Sequence, residues 1–253
     1  MLVLLPPSET KRDGGTPGSV VDTSALTFPT LGAERQQAMA ALVDLSQDAD
    51  AAALALRLGK ALRFEVDRNR ELLTSPVMAA MDRYTGVLYD ALDAQSLDVG
   101  ARTYLADHVV ISSALFGLTF AGDHIPAYRL SHNSKLPGVR LSAHWREVGS
   151  AALALEIERR GDDFVLDLRS EAYVALAPVP ATVESRFLRV VAEGDDGVRR
   201  ALNHFNKKGK GALVRALAES GEVHTTVEQL LDWAARSGIR LTHGAAGELD
   251  LVV

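Results

Sequence analysis

Four consecutive apolar residues near the start of the chain, Leu2–Leu5, are followed at once by two prolines. A short, uniformly apolar run of this kind predicts a buried strand. Because proline cannot donate a hydrogen bond to a sheet ladder, the strand must end at Pro6. Any fold of this chain therefore places the next segment, SETK at residues 8–11, at the end of a buried strand.

That segment is the first candidate site, because ligand pockets often form where strands end. Its charged residues, Glu9 and Lys11, would form an acid–base pair or an anion-binding pair. The alternative interpretation is a strand exit whose polar side chains only face water.

Helix and strand patterns follow one another without a regular alternation. Residues 34–63 predict two helices with a break near 46–50, and residues 76–81 predict a short helix after the capping pair Ser75-Pro76. Further helices are predicted over 197–219, with an interruption at Gly209 and Gly211, and over about 226–236. Predicted strands cover 109–120, with a strand turning into a helix as the alternative, 164–168 and 186–191. The last segment, 239–253, alternates apolar and polar residues around a glycine turn and predicts a β-hairpin.

These elements predict one α+β domain over residues 1–253, with a cleft and a C-terminal β-hairpin. The chain has 253 residues of which 47% are hydrophobic, enough for a sizeable core, and no cysteine, which excludes disulfides and thiolate-bound metals. The first apolar run is too short for a secretory signal. No run approaches the roughly 18–20 apolar residues that span a bilayer. We therefore expect a cytoplasmic protein without a membrane partner, with a monomer favoured.

The second candidate site is the basic stretch HFNKKGKGALVRAL at 204–217. From Arg199 to Arg215, both included, the chain has six Lys or Arg and no Asp or Glu, although its formal net charge is −6. Glycine allows a close backbone approach, and lysine acts as a point charge toward phosphate. The stretch predicts an anion site at Asn206, Lys207, Lys208 and Lys210, with a solvated helix end as the alternative.

Two further segments carry polar residues that suit a site. In DHIPAYRLSHNSKLPG at 123–138, Arg129 would pair with a carboxylate or a phosphate, or be a structural arginine in an exposed loop. In DLRSEAYVAL at 167–176, Ser170 and Tyr173 follow a strand, and a capping role for Ser170 is favoured. In RYTGVLYDAL at 83–92, Tyr84 is interpreted as core or cleft wall.

Several common site patterns are absent from the sequence. There is no GxxxxGK[ST] loop, no GxGxxG after a strand, no GxSxG and no HExxH, so no cofactor and no metal site is predicted. A directly bound iron ion is not expected either, because the chain lacks cysteine and ordered His/Glu spacing.

Read in order, LPPSETK, RYTGVLYDAL, ISSALFGLTFAGDHIPAYRL, DLRSEAYVAL and HFNKKGKGALVRAL resemble the successive motifs of the YaaA peroxide-stress protein family. The resemblance implies a cytosolic bacterial protein that supports hydrogen peroxide resistance and limits free intracellular iron. It also implies a single mixed domain that binds double-stranded DNA through a positively charged cleft and a helix-hairpin-helix element near 56–69. By motif position, the cleft residues are Lys11, Tyr84, Arg129, Ser170, Tyr173, Asn206, Lys207, Lys208 and Lys210.

Two functions are consistent with these residues. The first is sequence-independent binding of double-stranded DNA by a protein of the peroxide-stress response. The alternative is an enzyme acting on a small phosphorylated or nucleotide-like substrate in the same cleft, since a surface that only grips DNA needs no carboxylate, tyrosine or asparagine. Its catalytic candidates are Glu9, Lys11 and Tyr173, with the lysines stabilising charge.

Overall fold

The first strand, Leu2–Leu5, lies inside a mixed sheet in a computed structural model that describes residues 1–161, 164–193, 199–201 and 204–253. The strands are β1 Leu2–Leu5, β2 Met78–Ala79, β3 Val109–Ser113, β4 Gly117–Phe120, β5 His124–Ile125, β6 Phe164–Asp167, β7 Glu184–Glu193, β8 Arg199–Ala201, β9 Leu241–His243 and β10 Glu248–Val252. Within these ranges the main sheet has the order β4-β3-β1-β6-β7-β10-β9, and β8 pairs with β7. Strands β2 and β5 form a separate pair.

The inner strands of the main sheet are parallel. β1 pairs in parallel with β3 and β6, and β7 pairs in parallel with β6 and β10, whereas β4, β8 and β9 are antiparallel to their neighbours. All four residues of β1 are fully buried, as expected for a strand that is covered on both faces. The predicted buried strand that ends at Pro6 is confirmed.

The helices are α1 Gly32–Leu45, α2 Ala49–Ala55, α3 Phe64–Arg70, α4 Ala80–Arg83, α5 Val87–Leu92, α6 Val99–His108, α7 Leu141–Arg160, α8 Glu171–Val174, α9 His204–Ser220 and α10 Val227–Arg236. Short 3-10 turns occupy Pro29–Leu31, Lys60–Leu62 and Ala94–Ser96. Helices packed on one mixed sheet confirm the predicted α+β fold class. The C-terminal hairpin, formed by β9 and β10, is confirmed as well.

The element predicted over residues 109–120 is wrong. The run 109–120 is neither one strand nor a strand with a helix start, but an antiparallel hairpin of β3 and β4. Its turn is held by the Ser113 hydroxyl, which accepts from the N–H groups of Leu115 and Phe116 at 3.1 and 3.0 Å. Gly117 follows with φ +69°, a left-handed conformation that glycine adopts at low cost.

The helix predicted directly after Ser75-Pro76 is also wrong. The Val77 carbonyl accepts from the Thr16 N–H at 2.9 Å, and Met78–Ala79 form strand β2 with β5, so the helix α4 begins only at Ala80. A tertiary pairing with the loop at 12–19 has overridden the local capping signal.

The break predicted at Gly209 and Gly211 is wrong, because α9 runs through both glycines to Ser220. The glycines are explained by close packing. A Cβ on Gly211 would lie 2.1 Å from the Leu88 carbonyl oxygen of α5, and one on Gly209 would lie 3.2 Å from Val190 of β7. Residues 197–198 and 202–203 of the predicted helix lie outside the described residues, and Arg199–Ala201 is strand β8.

Candidate functional site

A cavity of about 740 Å³ opens where the parallel strands β1 and β6 end, beside the start of α5 and the first turns of α9. Its lining comes from residues 6–9, 85–89, 130–132, 169–173 and 187–190, together with 206, 207 and 210. The carboxyl ends of parallel strands are the usual place for a ligand site in such sheets. The sheet therefore brings together segments that are far apart in the sequence.

The structure separates the predicted site residues into two groups. Six line the cavity: Glu9, Ser170, Tyr173, Asn206, Lys207 and Lys210. Lys11, Tyr84 and Arg129 are buried, and Lys208 is exposed; none of the four belongs to the lining. Ser170 is the N-cap residue of α8 as predicted, but its side chain makes no capping hydrogen bond.

Lys210 is the most buried lysine of the site, with 5% of its surface exposed. Its ammonium donates to the Arg169 carbonyl at 3.5 Å and lies 5.4 Å from the centre of the Phe187 ring. Burial lowers the pKa of Lys210 to about 8. Among the described residues, no carboxylate lies within ion-pairing distance of this ammonium; the carboxylate charge that partly offsets its burial, that of Asp167, is already paired with Arg169.

The two arginines of the lining are held by carboxylates. Arg169, which is fully buried, donates from Nε and Nη2 to the two oxygens of Asp167 at 2.9 and 2.6 Å. Arg189 donates to Glu248 at 2.8 Å and to Glu171 at 3.2 Å. These pairs fix both arginines in the wall, whereas Lys210 has no such carboxylate partner among the described residues.

Glu9 also lines the cavity. Its carboxylate pairs with the Arg129 guanidinium and accepts from the Ser131 hydroxyl at 3.2 Å. The backbone of Arg129 is fixed by the side chain of Asn69, which accepts from its N–H at 2.7 Å and donates to its carbonyl at 2.9 Å. Glu9 is therefore the carboxylate partner of Arg129, the residue that the sequence predicted to pair with a carboxylate or a phosphate.

Lys11 lies behind Glu9, in a pocket of aromatic rings. Residues 10–12 pair with 83–85, which sets Lys11 opposite Tyr84. The ammonium donates to the Glu9 carbonyl at 3.1 Å and lies 4.1 Å from the ring centre of Tyr128. Burial, followed by the charge of Arg129, lowers the pKa of Lys11 to about 7.

The tyrosines form a hydrogen-bonded chain under the site. Tyr84 and Tyr128 share a hydrogen bond of 2.8 Å between their hydroxyls, and Tyr128 bonds to the Ser113 hydroxyl at 2.7 Å.

Tyr173 packs edge-on against the His132 ring at 5.4 Å, and burial raises its pKa well above the usual range. The raised pKa keeps the Tyr173 hydroxyl protonated at neutral pH, so it can donate a hydrogen bond.

Sequence reasoning missed the wall formed by β7. Phe187 and Arg189, which share one face of the strand by its period of two, line the cavity together with Leu188 and Val190. The strand was predicted, but its place in the site could not be inferred without knowing that α9 packs beside it.

The chain matches the family model described as "Peroxide stress protein YaaA" over residues 1–240. It belongs to the YaaA peroxide stress family. The predicted family membership is confirmed, and with it a role in the response to peroxide stress at the level of the family.

Relatives of this YaaA-family chain extend over most of its length. A UPF0246 protein of Corynebacterium efficiens is 42% identical over the whole of both chains. A UPF0246 protein of Streptomyces coelicolor is 43% identical over 87% of this chain and 84% of its own. An uncharacterized protein of Campylobacter jejuni is 26% identical over 87% of this chain and 85% of its own.

Two features are absent from the described part of this YaaA-family chain. No helix there combines the length and the apolar character that crossing a bilayer requires. In the same residues, no group of three or more His, Asp or Glu side chains is arranged to hold a metal ion.

Proposed function

We propose that this cytoplasmic peroxide-stress protein is an enzyme that acts on a small phosphorylated molecule in the cavity at the carboxyl ends of β1 and β6. The observation that carries the proposal is Lys210, a buried ammonium on the cavity wall with no carboxylate partner among the described residues. Burying such a charge is costly unless an anion compensates it. A phosphate group would supply that anion.

The rest of the lining favours a small substrate over a simple polyanion surface. Glu9 and Tyr173 face the cavity together with cations, a mixture that positions a substrate and moves protons. Under the proposal, Lys210 and Lys207 hold the phosphate and Glu9 serves as the acid–base group. Lys11 donates to the Glu9 backbone carbonyl from the buried side and helps to hold Glu9 in place.

Binding of double-stranded DNA is the second candidate, and the exposure of Lys207 and Lys208 in the first turns of α9 favours it. Each phosphate that they neutralise would contribute a log–log salt slope of about −0.9. The family resemblance also implies a role in limiting free intracellular iron. Under the proposal this role is indirect, because the site binds a phosphorylated ligand and not an iron ion.

Lys210→Met and Lys208→Met distinguish the two candidates. Calorimetric titration with ribose 5-phosphate and pyrophosphate should show binding that Lys210→Met abolishes and that Lys208→Met, outside the lining, leaves intact. A short DNA duplex measured by fluorescence anisotropy should respond in the opposite way if DNA is the ligand. If neither phosphorylated compound binds the wild-type protein, the proposed function is wrong.

A further inference from the structure

Arg189 of β7 is bonded to two carboxylates that differ in how firmly they are placed. Its Nε and Nη2 both donate to Glu248 of the neighbouring strand β10, at 3.0 and 2.8 Å, and the Glu248 side chain is 23% exposed. Its Nη1 donates to Glu171 at 3.2 Å, and the Glu171 side chain is 77% exposed. Strong charge-assisted hydrogen bonds are about 2.7–2.9 Å long, and exposed ion pairs add little stability. Glu171 is therefore the partner that can leave Arg189 at low cost.

Both members of this weaker pair, Glu171 and Arg189, line the cavity. Arg169, the other arginine of the lining, differs from Arg189 because it is fully buried and bonded within the protein. Its Nε and Nη2 donate to Asp167, and its Nη1 donates to the Ala177 carbonyl at 2.7 Å. The Arg169 guanidinium is thus committed to the fold, whereas Nη1 of Arg189 becomes available to a ligand once Glu171 turns away.

Arg189 also lies close to the lysine that is proposed to bind phosphate. The Arg189 guanidinium and the Lys210 ammonium both lie against the Phe187 ring, 4.9 and 5.4 Å from its centre. Burial lowers the pKa of Lys210, and the charge of Arg189 lowers it further, so the two cations are close enough to repel each other. An anion that binds both cations relieves this repulsion.

We propose that Arg189 is a third phosphate-binding residue of the cavity, and that the Glu171 carboxylate occupies its place until the anionic group of the substrate displaces it. The inference rests on the proposed function and adds a binding residue and an internal competitor to the same site. Glu248 holds Nε and Nη2 throughout, so the guanidinium keeps its orientation when Glu171 leaves. Arginine suits this exchange, because its planar fork fits carboxylate and phosphate oxygens alike.

Glu171→Gln tests the competitor, because it removes the charge and keeps the size of the side chain. In calorimetric titrations of the full chain at about 0.15 M salt, pyrophosphate and ribose 5-phosphate should bind about two- to fivefold more tightly than to wild type. Glu222→Gln is the matched control, since it removes the same charge from an exposed pair with Arg236 at 3.1 Å, outside the lining. The control should bind both compounds as the wild-type protein does.

A second comparison tests whether the gain depends on Arg189. Arg189→Gln should weaken the binding of pyrophosphate, and adding Glu171→Gln to that variant should produce no gain. If Arg189→Gln does not fold, Arg189→Lys replaces it. Lysine keeps the charge but lacks the fork, so the gain from Glu171→Gln should be smaller in that background than in the wild-type protein.

The outcomes separate this inference from the proposed function. Unchanged affinity in Glu171→Gln, an equal gain in Glu222→Gln, or a full gain in the absence of Arg189 overturns the exchange and leaves phosphate binding by the lysines standing. No binding of either compound by any of these proteins overturns both. A gain that is confined to Glu171→Gln and that requires Arg189 establishes the exchange.

Discussion

Replacing Gly211 by alanine should destabilise the protein, although alanine is the better helix former. In the interior of α9 the added methyl group would lie 2.1 Å from the Leu88 carbonyl oxygen and 2.9 Å from the Ala91 Cβ. The first of these atoms belongs to the backbone of α5 and cannot turn aside. The two helices must separate or tilt to accept the methyl group.

The magnitude follows from two opposing contributions. Inserting a methyl group into a packed interface costs about 1–3 kcal/mol. Higher helix propensity recovers about 1 kcal/mol. Because the obstruction is backbone, we expect the upper part of the first range and a net loss of about 1–2 kcal/mol, or about 2–8 °C in Tm for a chain of this length.

Gly209→Ala is the matched control. Its methyl group would meet the end of the Val190 side chain at 3.2 Å, where a small rotation makes room, so its stability should stay within about 1 kcal/mol of wild type. Urea denaturation followed by circular dichroism measures both variants. If Gly211→Ala is as stable as Gly209→Ala, the close contact of α9 with α5 does not explain this glycine.

Further predictions concern the groups beneath the cavity. Since the pKa of Lys11 falls from 10.5 in the unfolded chain to about 7 in the folded protein, the unfolded state binds more protons in this window, and stability should rise with pH from 7 toward 9.5 by up to about 1.4 kcal/mol per unit. Lys11→Met should flatten that slope in urea titrations at several pH values; an unchanged slope would mean that Lys11 is charged in the folded protein. Tyr128→Phe should cost about 1–3 kcal/mol, because it leaves the buried Tyr84 hydroxyl without its partner, and Tyr84→Phe about 1 kcal/mol, because the Tyr128 hydroxyl keeps its bond to Ser113. Thermal unfolding of the two variants checks this order, and a larger loss in Tyr84→Phe would contradict it.

Local signals in the sequence predicted several elements correctly. The strand Leu2–Leu5, the helices on either side of the break near residue 46 and the C-terminal hairpin all follow from apolar periodicity and turn residues. The elements that were wrong depend on distant partners. The segment after Ser75 pairs with the loop at 12–19 and with β5. Gly211 packs against α5, which lies more than a hundred residues earlier in the chain.

The candidate site divides in the same way. Glu9, Tyr173, Asn206 and Lys210 were singled out from local chemistry, and the fold brings them to one cavity. The separate position of Lys208 was not predictable, because side chains that differ by one position in a helix point in different directions and only packing decides which direction faces the site. The pairing of Arg129 with Glu9 likewise needed the distance between two segments that are 120 residues apart.

By itself, the amino-acid sequence determined the fold class, the strand that anchors the sheet and the set of polar residues available for chemistry, because burial and hydrogen bonding along the backbone act over a few residues. Tertiary structure alone decided which cations are compensated. Arg189 meets Glu248 of the neighbouring strand, whereas Lys210 is buried beside a carbonyl and a ring. Charge compensation depends on distances of a few ångströms between segments that only folding brings together.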